Sequence, residues 1–127
     1  MSDHDELSAA YWAGAARGVL VVQRCASCGT PRHYPRALCA NCYSFDVEHV
    51  EHPGRGSVYS WTVAHQAFSP DVAGDVPYVL VTVDLGDGMR ALGRLAAPAQ
   101  PAMGLPVQIG FEPDAAGAPR PVFTATD

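Results

Sequence analysis

Between Phe45 and Asp127 apolar residues never recur at helical spacing; short runs of Val, Leu, Ile, Tyr and Trp alternate with polar residues and are broken by Gly and Pro. Around Trp61 the alternation is strict. Val58, Ser60 and Thr62 interleave with Tyr59, Trp61 and Val63, the period-2 pattern of a strand with two unlike faces. Strands are predicted at 46–52, 56–65, 78–85, 89–95, 107–112 and 122–123, with loops at 96–104 and 115–121. Leu85-Gly86-Asp87-Gly88-Met89 reads as a hairpin turn, and Pro53-Gly54-Arg55-Gly56 as a bend. Five or six short strands in such a span suit a small closed β-barrel of the OB type.

The first 45 residues differ. Residues 5–17 read as a short helix, with Asp5 and Glu6 in the first turn, Leu7, Tyr11 and Ala15 at i, i+4 spacing, and Gly18 as the stop. So short a helix holds only when packed on something. Tyr11 and Trp12, adjacent on it, cannot both face one core, so one packs on the protein and the other either meets a partner or covers the protein's own surface. The apolar run Leu20-Val21-Val22-Gln23 then forms a strand that delivers the chain to a cysteine pair.

All four cysteines fall in two C-x-x-C pairs, Cys25-Ala-Ser-Cys28-Gly29 and Cys39-Ala-Asn-Cys42. Two residues between thiolates let one tight turn aim both sulfurs at one ion, and a glycine after the second sulfur suits the exit from that turn. The gap between the pairs leaves room for a small hairpin, so residues 1–45 read as helix plus zinc ribbon and 46–127 as the barrel. Disulfides, a redox dithiol or iron in the same four-sulfur cage are the competing readings. No signal peptide is recognisable, a redox motif needs one C-x-x-C between strand and helix, and zinc is the usual ion of a structural four-thiolate site. A site closed by four protein ligands has no open position for substrate, so the metal is expected to be structural.

Composition narrows the function. The net charge is -5, yet every one of the eight basic residues is arginine, and the interval 7–45 carries Arg17, Arg24, Arg32 and Arg36 with no acid at all. Part of that excess offsets the negative charge of a metal tetrathiolate; the rest suits phosphate, whose oxygens match the guanidinium fork. No apolar run is long enough to span a membrane, and a soluble, cytoplasmic protein is expected. Lysine is absent and no thiol lies outside the pairs, which removes Schiff-base, P-loop and cysteine chemistry; no G-x-S-x-G occurs. His49 and His52 read as solvated strand residues, and His65, at the end of the Trp61 strand, as a surface histidine. Two uses compete at this stage: single-strand nucleic-acid binding, disfavoured by an acidic barrel whose aromatic strand carries no arginine, and binding of a phosphate-bearing small molecule.

The ordered landmarks narrow the choice. Tyr11-Trp12-x-Gly14, Gly18-x-Leu20, Gln23-Arg24-Cys25-x-x-Cys28-Gly29, Tyr34-Pro35-Arg36-x-x-Cys39-x-x-Cys42, Gly54-x-Gly56-x-Val58-x-Ser60-x-Thr62-x-x-His65, Pro77-Tyr78 and Gly104-x-Pro106-Val107 follow one another in the chain. Together they resemble domain-of-unknown-function family thirty-five. The resemblance implies a mainly β protein with a short N-terminal helix, a rubredoxin-like zinc ribbon and a five- to six-stranded OB-fold barrel. It further implies an acyl-CoA-binding accessory subunit, not catalytic alone, of a thiolase-fold enzyme. The sharper implication is a lipid-transfer-protein-type retro-aldolase (a lyase) acting on a β-hydroxyacyl-CoA in steroid side-chain degradation; an acetoacetyl-CoA thiolase is the alternative partner. On this resemblance Cys25, Cys28, Cys39 and Cys42 hold structural zinc, and Arg24, Arg32 and Arg36 meet CoA phosphates. Tyr11 and Trp12 contact the partner, and a hetero-oligomer with two copies of each chain shares the CoA thioester. Ala40 stands where proline often follows the first cysteine of the second pair, and the loop at 68–74 carries no substrate signature.

Overall fold

The structure, a computed structural model, describes residues 8–65, 77–114 and 116–126. In chain order it contains α1 (Ala9–Ala16), β1 (Leu20–Cys25), β2 (Pro31–Arg32), β3 (Val47–His52), β4 (Arg55–Ala64), β5 (Tyr78–Gly86), β6 (Met89–Leu95), β7 (Pro106–Pro113) and β8 (Pro119–Ala125). The helix ends as expected: Gly18 takes φ +78, and Arg17 Nη1 donates to the Ala13 carbonyl at 3.3 Å. Asp5, Glu6 and Leu7 lie outside the described residues, as does the loop at 68–74.

Two sheets form. A three-stranded sheet runs β2-β1-β3, and a closed barrel runs β4-β5-β6-β8-β7, with β7 returning to β4. This corrects one expectation. The strand at 46–52, assigned with the barrel, pairs antiparallel with β1 along its whole length, from Leu20 opposite His52 to Cys25 opposite Val47. The reason lies in β1, which is buried on nearly every residue and occupies the middle of its sheet, so both its edges need partners. The two-residue β2 supplies one edge only at Gln23 and Arg24. A strand so short has no periodicity to read. The barrel therefore has five strands. β8 also starts earlier than 122, because Pro119 and Pro121 conceal it; β6 reaches β8 only at Val122 and Phe123, so both prolines sit where no second ladder needs an N–H.

Gly86, Asp87 and Gly88 all have positive φ, and with Asp87 and Gly88 as its central residues the predicted hairpin is a type I′ turn. In β4 a bulge between Val58 and Ser60 interrupts the alternation read from sequence. Val58 opposes Val83 while Trp61 opposes Val81, so Trp61 shares the register face of Val58 rather than of Tyr59. Tyr59 points the other way, its ring beneath the Arg90 guanidinium at 3.9 Å.

One continuous core joins the sheets. Val58, Val81, Val83, Val107, Ile109 and Phe123 fill the barrel, and Tyr11, Leu20 and Val22 extend the same cluster beneath α1 and β1. Gly93 makes room for Phe123: a Cβ there would lie 2.9 Å from the ring. The seam is pinned by polar contacts as well. The Gly54 N–H donates to His52 Nδ1 at 2.9 Å, which leaves the proton on Nε2, 3.2 Å from the Leu85 carbonyl. His52 is thus a half-buried bridge from the ribbon sheet to the barrel, not a solvated strand residue; His49 is exposed as expected. Tyr34 Oη accepts the Leu92 N–H at 2.8 Å, tying the ribbon to an edge of β6.

His33 lies inside this seam, 7 % exposed, stacked on Tyr11 with ring centroids 5.4 Å apart. Burial, and next the charge of His52, hold its pKa down at about 4. Below the ordinary value of about 6.5 an unfolded chain takes up a proton that the folded one refuses, so stability is full above that pH and falls as pH drops toward 4. The loss amounts to roughly 2–3 kcal/mol. Replacing the group by His33→Gln is expected to flatten the wild-type decline in melting temperature between pH 6.5 and 4; parallel curves for the two proteins would assign the decline to other groups.

Candidate metal centre

β1 carries the first pair to its place, since Cys25 is its last residue. The two turns that follow are built alike. Gly29 N donates to the Cys25 carbonyl and Cys25 N to the Thr30 carbonyl, each at 2.9 Å; Tyr43 N donates to the Cys39 carbonyl at 2.9 Å and Cys39 N to the Ser44 carbonyl at 3.0 Å. Gly29 takes φ +81, as its position predicts, and Tyr43, its counterpart, takes φ +64. A tyrosine in the left-handed region costs about 1–2 kcal/mol, which the closure of the second turn has to offset. The hydroxyls of Ser27 and Ser44 meet at 2.8 Å, and Ala26 N donates to the Asp46 carbonyl at 3.0 Å, joining the turns face to face.

All four sulfurs lie within 4.8 Å of one another. Cys25 and Cys42 are 3.6 Å apart and Cys28 and Cys39 3.7 Å, each pair taking one sulfur from each turn. Disulfide sulfurs would stand about 2.05 Å apart. A tetrahedron of thiolates about 2.3 Å from a central zinc has edges of about 3.8 Å, so the residues fit a four-coordinate metal ion. Cys25 and Cys39 are buried and Cys28 and Cys42 exposed. Donors surround them: Cys28 N lies 3.5 Å from Cys25 Sγ, Asn41 N 3.4 Å from Cys39 Sγ, and Asn41 Nδ2 3.5 Å from Cys28 Sγ. Hydrogen bonds with Thr30 and Asn41 hold the Cys28 thiol down at about 5, and backbone bonds from Cys42 and Asn41 lower Cys39. Cys42 moves the other way, to about 12, because the lowering effect of its backbone bond with Ser44 is outweighed by its contacts with the other three thiols. Four thiolates at this spacing would need a cation among them.

The three arginines do not act as one set. Arg24 is paired with Glu48 across the β1–β3 ladder. Arg32 is 7 % exposed: Nε donates to Gln23 Oε1 at 2.6 Å and Nη2 to the Arg36 carbonyl at 2.8 Å, while Nη1 has no hydrogen-bond partner among the described residues. Gln23 Oε1 also accepts the Arg36 N–H at 2.8 Å, which fixes the backbone of Arg36 and leaves its side chain exposed. Arg32, Arg36 and Asn41 of the ribbon and Asp87 of the barrel hairpin line a cleft of about 360 Å³. In the sequence Gln23 reads only as a strand and landmark residue and Asp87 only as a turn residue, and nothing singles out His33. Only the place of Gln23 between an apolar run and a cysteine hinted at a role. Of the two adjacent aromatics, Tyr11 is the one taken inside, packed against His33 and Phe111, so it offers no surface to a partner; Trp12 packs edge-on to Tyr11 at the margin of the core. His65 is exposed at the end of β4.

Comparison with known proteins adds to this geometry. Residues 12–48 match the family model described as the rubredoxin-like zinc ribbon domain of ChsH2, and residues 49–112 match its C-terminal OB-fold domain. The chain is 43% identical over 105 residues to a probable enoyl-CoA hydratase alpha subunit of Thermomonospora curvata, covering 80% of this chain and 32% of that one. It is 38% identical over 107 residues to the 3-oxo-4,17-pregnadiene-20-carboxyl-CoA hydratase alpha subunit of Mycobacterium tuberculosis, covering 82% and 33%. It thus spans about a third of the length of these relatives. A solved structure titled Ltp2-ChsH2(DUF35) aldolase contains a chain that superposes with a TM-score of 0.85 at 35% identity, with 98% of each chain covered. With both segments matched in order, the chain belongs to the ChsH2-type DUF35 family of zinc-ribbon and OB-fold accessory proteins.

Proposed function

We propose that this chain is a non-catalytic, acyl-CoA-binding subunit of a thiolase-fold enzyme, and that the assembly is a retro-aldolase acting on a β-hydroxyacyl-CoA in steroid side-chain degradation. One observation carries the reading: the likeness to a chain of the Ltp2-ChsH2(DUF35) aldolase runs the full length of both chains. The hydratase relatives contain this unit as about a third of a longer chain, so their activity weighs less. In such a retro-aldol step a base removes the β-hydroxyl proton, the carbonyl forms as the bond to the α-carbon breaks, and that electron pair becomes a thioester enolate that is reprotonated. The acid, base and enolate donors belong on the partner. The assembly is read as cytoplasmic, with two copies of each chain.

Within it, Cys25, Cys28, Cys39 and Cys42 would hold a structural zinc ion, and the ribbon would present Arg36 to the CoA phosphates. Arg36 leads the three arginines because its side chain is exposed at the cleft, whereas Arg32 is enclosed and Arg24 is occupied by Glu48. Trp12 remains the contact to the partner on the helix side. The deciding experiment is purification of the chain at native levels from its own cells with mass spectrometry of what stays bound. A stoichiometric thiolase-fold protein is expected; nucleic acid, or nothing, would return the choice to a single-strand binder.

Two variants test the parts. Cys39→Ser is expected to lower zinc content severalfold, measured by atomic emission, and to abolish the complex; an intact complex from zinc-free protein would remove the structural role of the metal. Arg36→Ala is expected to raise the KM of the assembly for acyl-CoA about tenfold, the loss of one charge-assisted contact, while zinc content stays constant. A parallel loss of zinc would instead make Arg36 a counter-charge to the thiolates.

A further inference from the structure

Gln23 is buried, at 2% exposure, directly after the apolar run Leu20-Val21-Val22 of β1, where another apolar residue would pack with no hydrogen-bonding demand. Its side chain serves the segment between the two cysteine turns. In the β1–β2 ladder Gln23 stands opposite Arg32, and its Oε1 accepts two hydrogen bonds, from Arg32 Nε at 2.6 Å and from Arg36 N at 2.8 Å. Arg32 closes the ring by donating Nη2 to the Arg36 carbonyl at 2.8 Å. Arg36 itself lies between β2 and Cys39, outside every strand and helix. Two buried side chains thus hold the backbone N–H and C=O of a residue that no ladder holds, and that residue is the exposed arginine of the cleft.

We infer that Gln23 is a positioning residue for anion binding at Arg36: together with Arg32 it fixes the Arg36 backbone before the ligand arrives. An arginine on an unheld segment has to order its backbone and its side chain when it meets an anion, and both costs are taken from the affinity. With N–H and C=O already fixed, only the side-chain torsions of Arg36 remain to be ordered. Gln23 acts through Arg36 and touches no ligand. A glutamine present for packing alone would be replaceable by methionine, which has nearly the same length and volume and no amide acceptor. The anion is a phosphate of the CoA thioester, an identity that rests on the accessory-subunit reading above.

The test uses the zinc-loaded chain in complex with the thiolase-fold protein that copurifies with it, titrated with coenzyme A by calorimetry and assayed with acyl-CoA. Gln23→Met is expected to weaken coenzyme A binding about tenfold, as Arg36→Ala does, and to raise KM for acyl-CoA with kcat unchanged. The double variant should lie within about twofold of either single one, because Gln23 has no effect once the Arg36 side chain is gone. Gln23→Glu, which keeps an acceptor in place, should bind within about twofold of wild type. The Arg36 amide should exchange slowly in wild type and in Gln23→Glu and fast in Gln23→Met. Should Gln23→Met fail to hold zinc, Gln23→Asn, one methylene short of both donors, takes its place with the same expected loss. Losses that multiply in the double variant would mean that Gln23 acts apart from Arg36, and would overturn the positioning role. Wild-type affinity in Gln23→Met beside a weakened Arg36→Ala overturns the inference and keeps the accessory reading. Wild-type affinity in Arg36→Ala, or no thiolase-fold protein recovered with the chain, overturns both.

Discussion

Four sulfurs held within 4.8 Å of one another are the constraint on which the N-terminal half depends. A ribbon of this size cannot bury enough apolar surface to hold two turns together, and thiolates at this distance repel. The fold answers with donors: N–H groups reach Cys25, Cys28 and Cys39, and the buried Arg32 lines the same cleft as Cys39. These neighbours are not enough to ionise all four thiols, since Cys28 and Cys39 are lowered while Cys42 is raised. A cation held by the four sulfurs would resolve the conflict and close both turns at once, the left-handed Tyr43 included.

From that centre the constraint passes to the barrel through few groups. Gln23 Oε1 takes one hydrogen bond from the Arg32 guanidinium and another from the backbone of Arg36, so a single buried acceptor positions both the enclosed arginine and the exposed one. Tyr34, two residues before Arg36, anchors to Leu92 of the barrel, and His52 anchors the far end of the same sheet to Leu85. The ribbon side is therefore tied to the barrel at two places. Asp87 lines the cleft from the barrel hairpin, and Arg32 and Arg36 line it from the ribbon.

Much of this was legible in the sequence, and what was not has physical causes. The cysteine spacing, the hairpin at Asp87-Gly88 and the boundaries of β6 depend on local chemistry and could be read off. Chain order could not assign β3, because which sheet it joins is decided by the unpaired edge of β1, a long-range need. The bulge in β4 was invisible for a related reason: an extra residue leaves composition unchanged and reverses the faces of everything beyond it, so Trp61 changed sides while Tyr59 did not. At the site, arginine counting overstated the usable charge. Arg24 is paired with Glu48, and Arg32 is enclosed with its Nε on Gln23, partners that only the folded sheet brings near.

The same distinction bears on what an accessory subunit of this shape can contribute. Among the described residues the titratable groups in the cleft are Arg32, His33, Arg36, Asp87 and a ligand thiol, Cys39. His33 is buried and kept neutral through the physiological range, and Arg32 cannot deprotonate, so neither can act as a proton-transferring acid or base at neutral pH. Arg36 leaves an exposed guanidinium at the cleft, beside the enclosed one of Arg32.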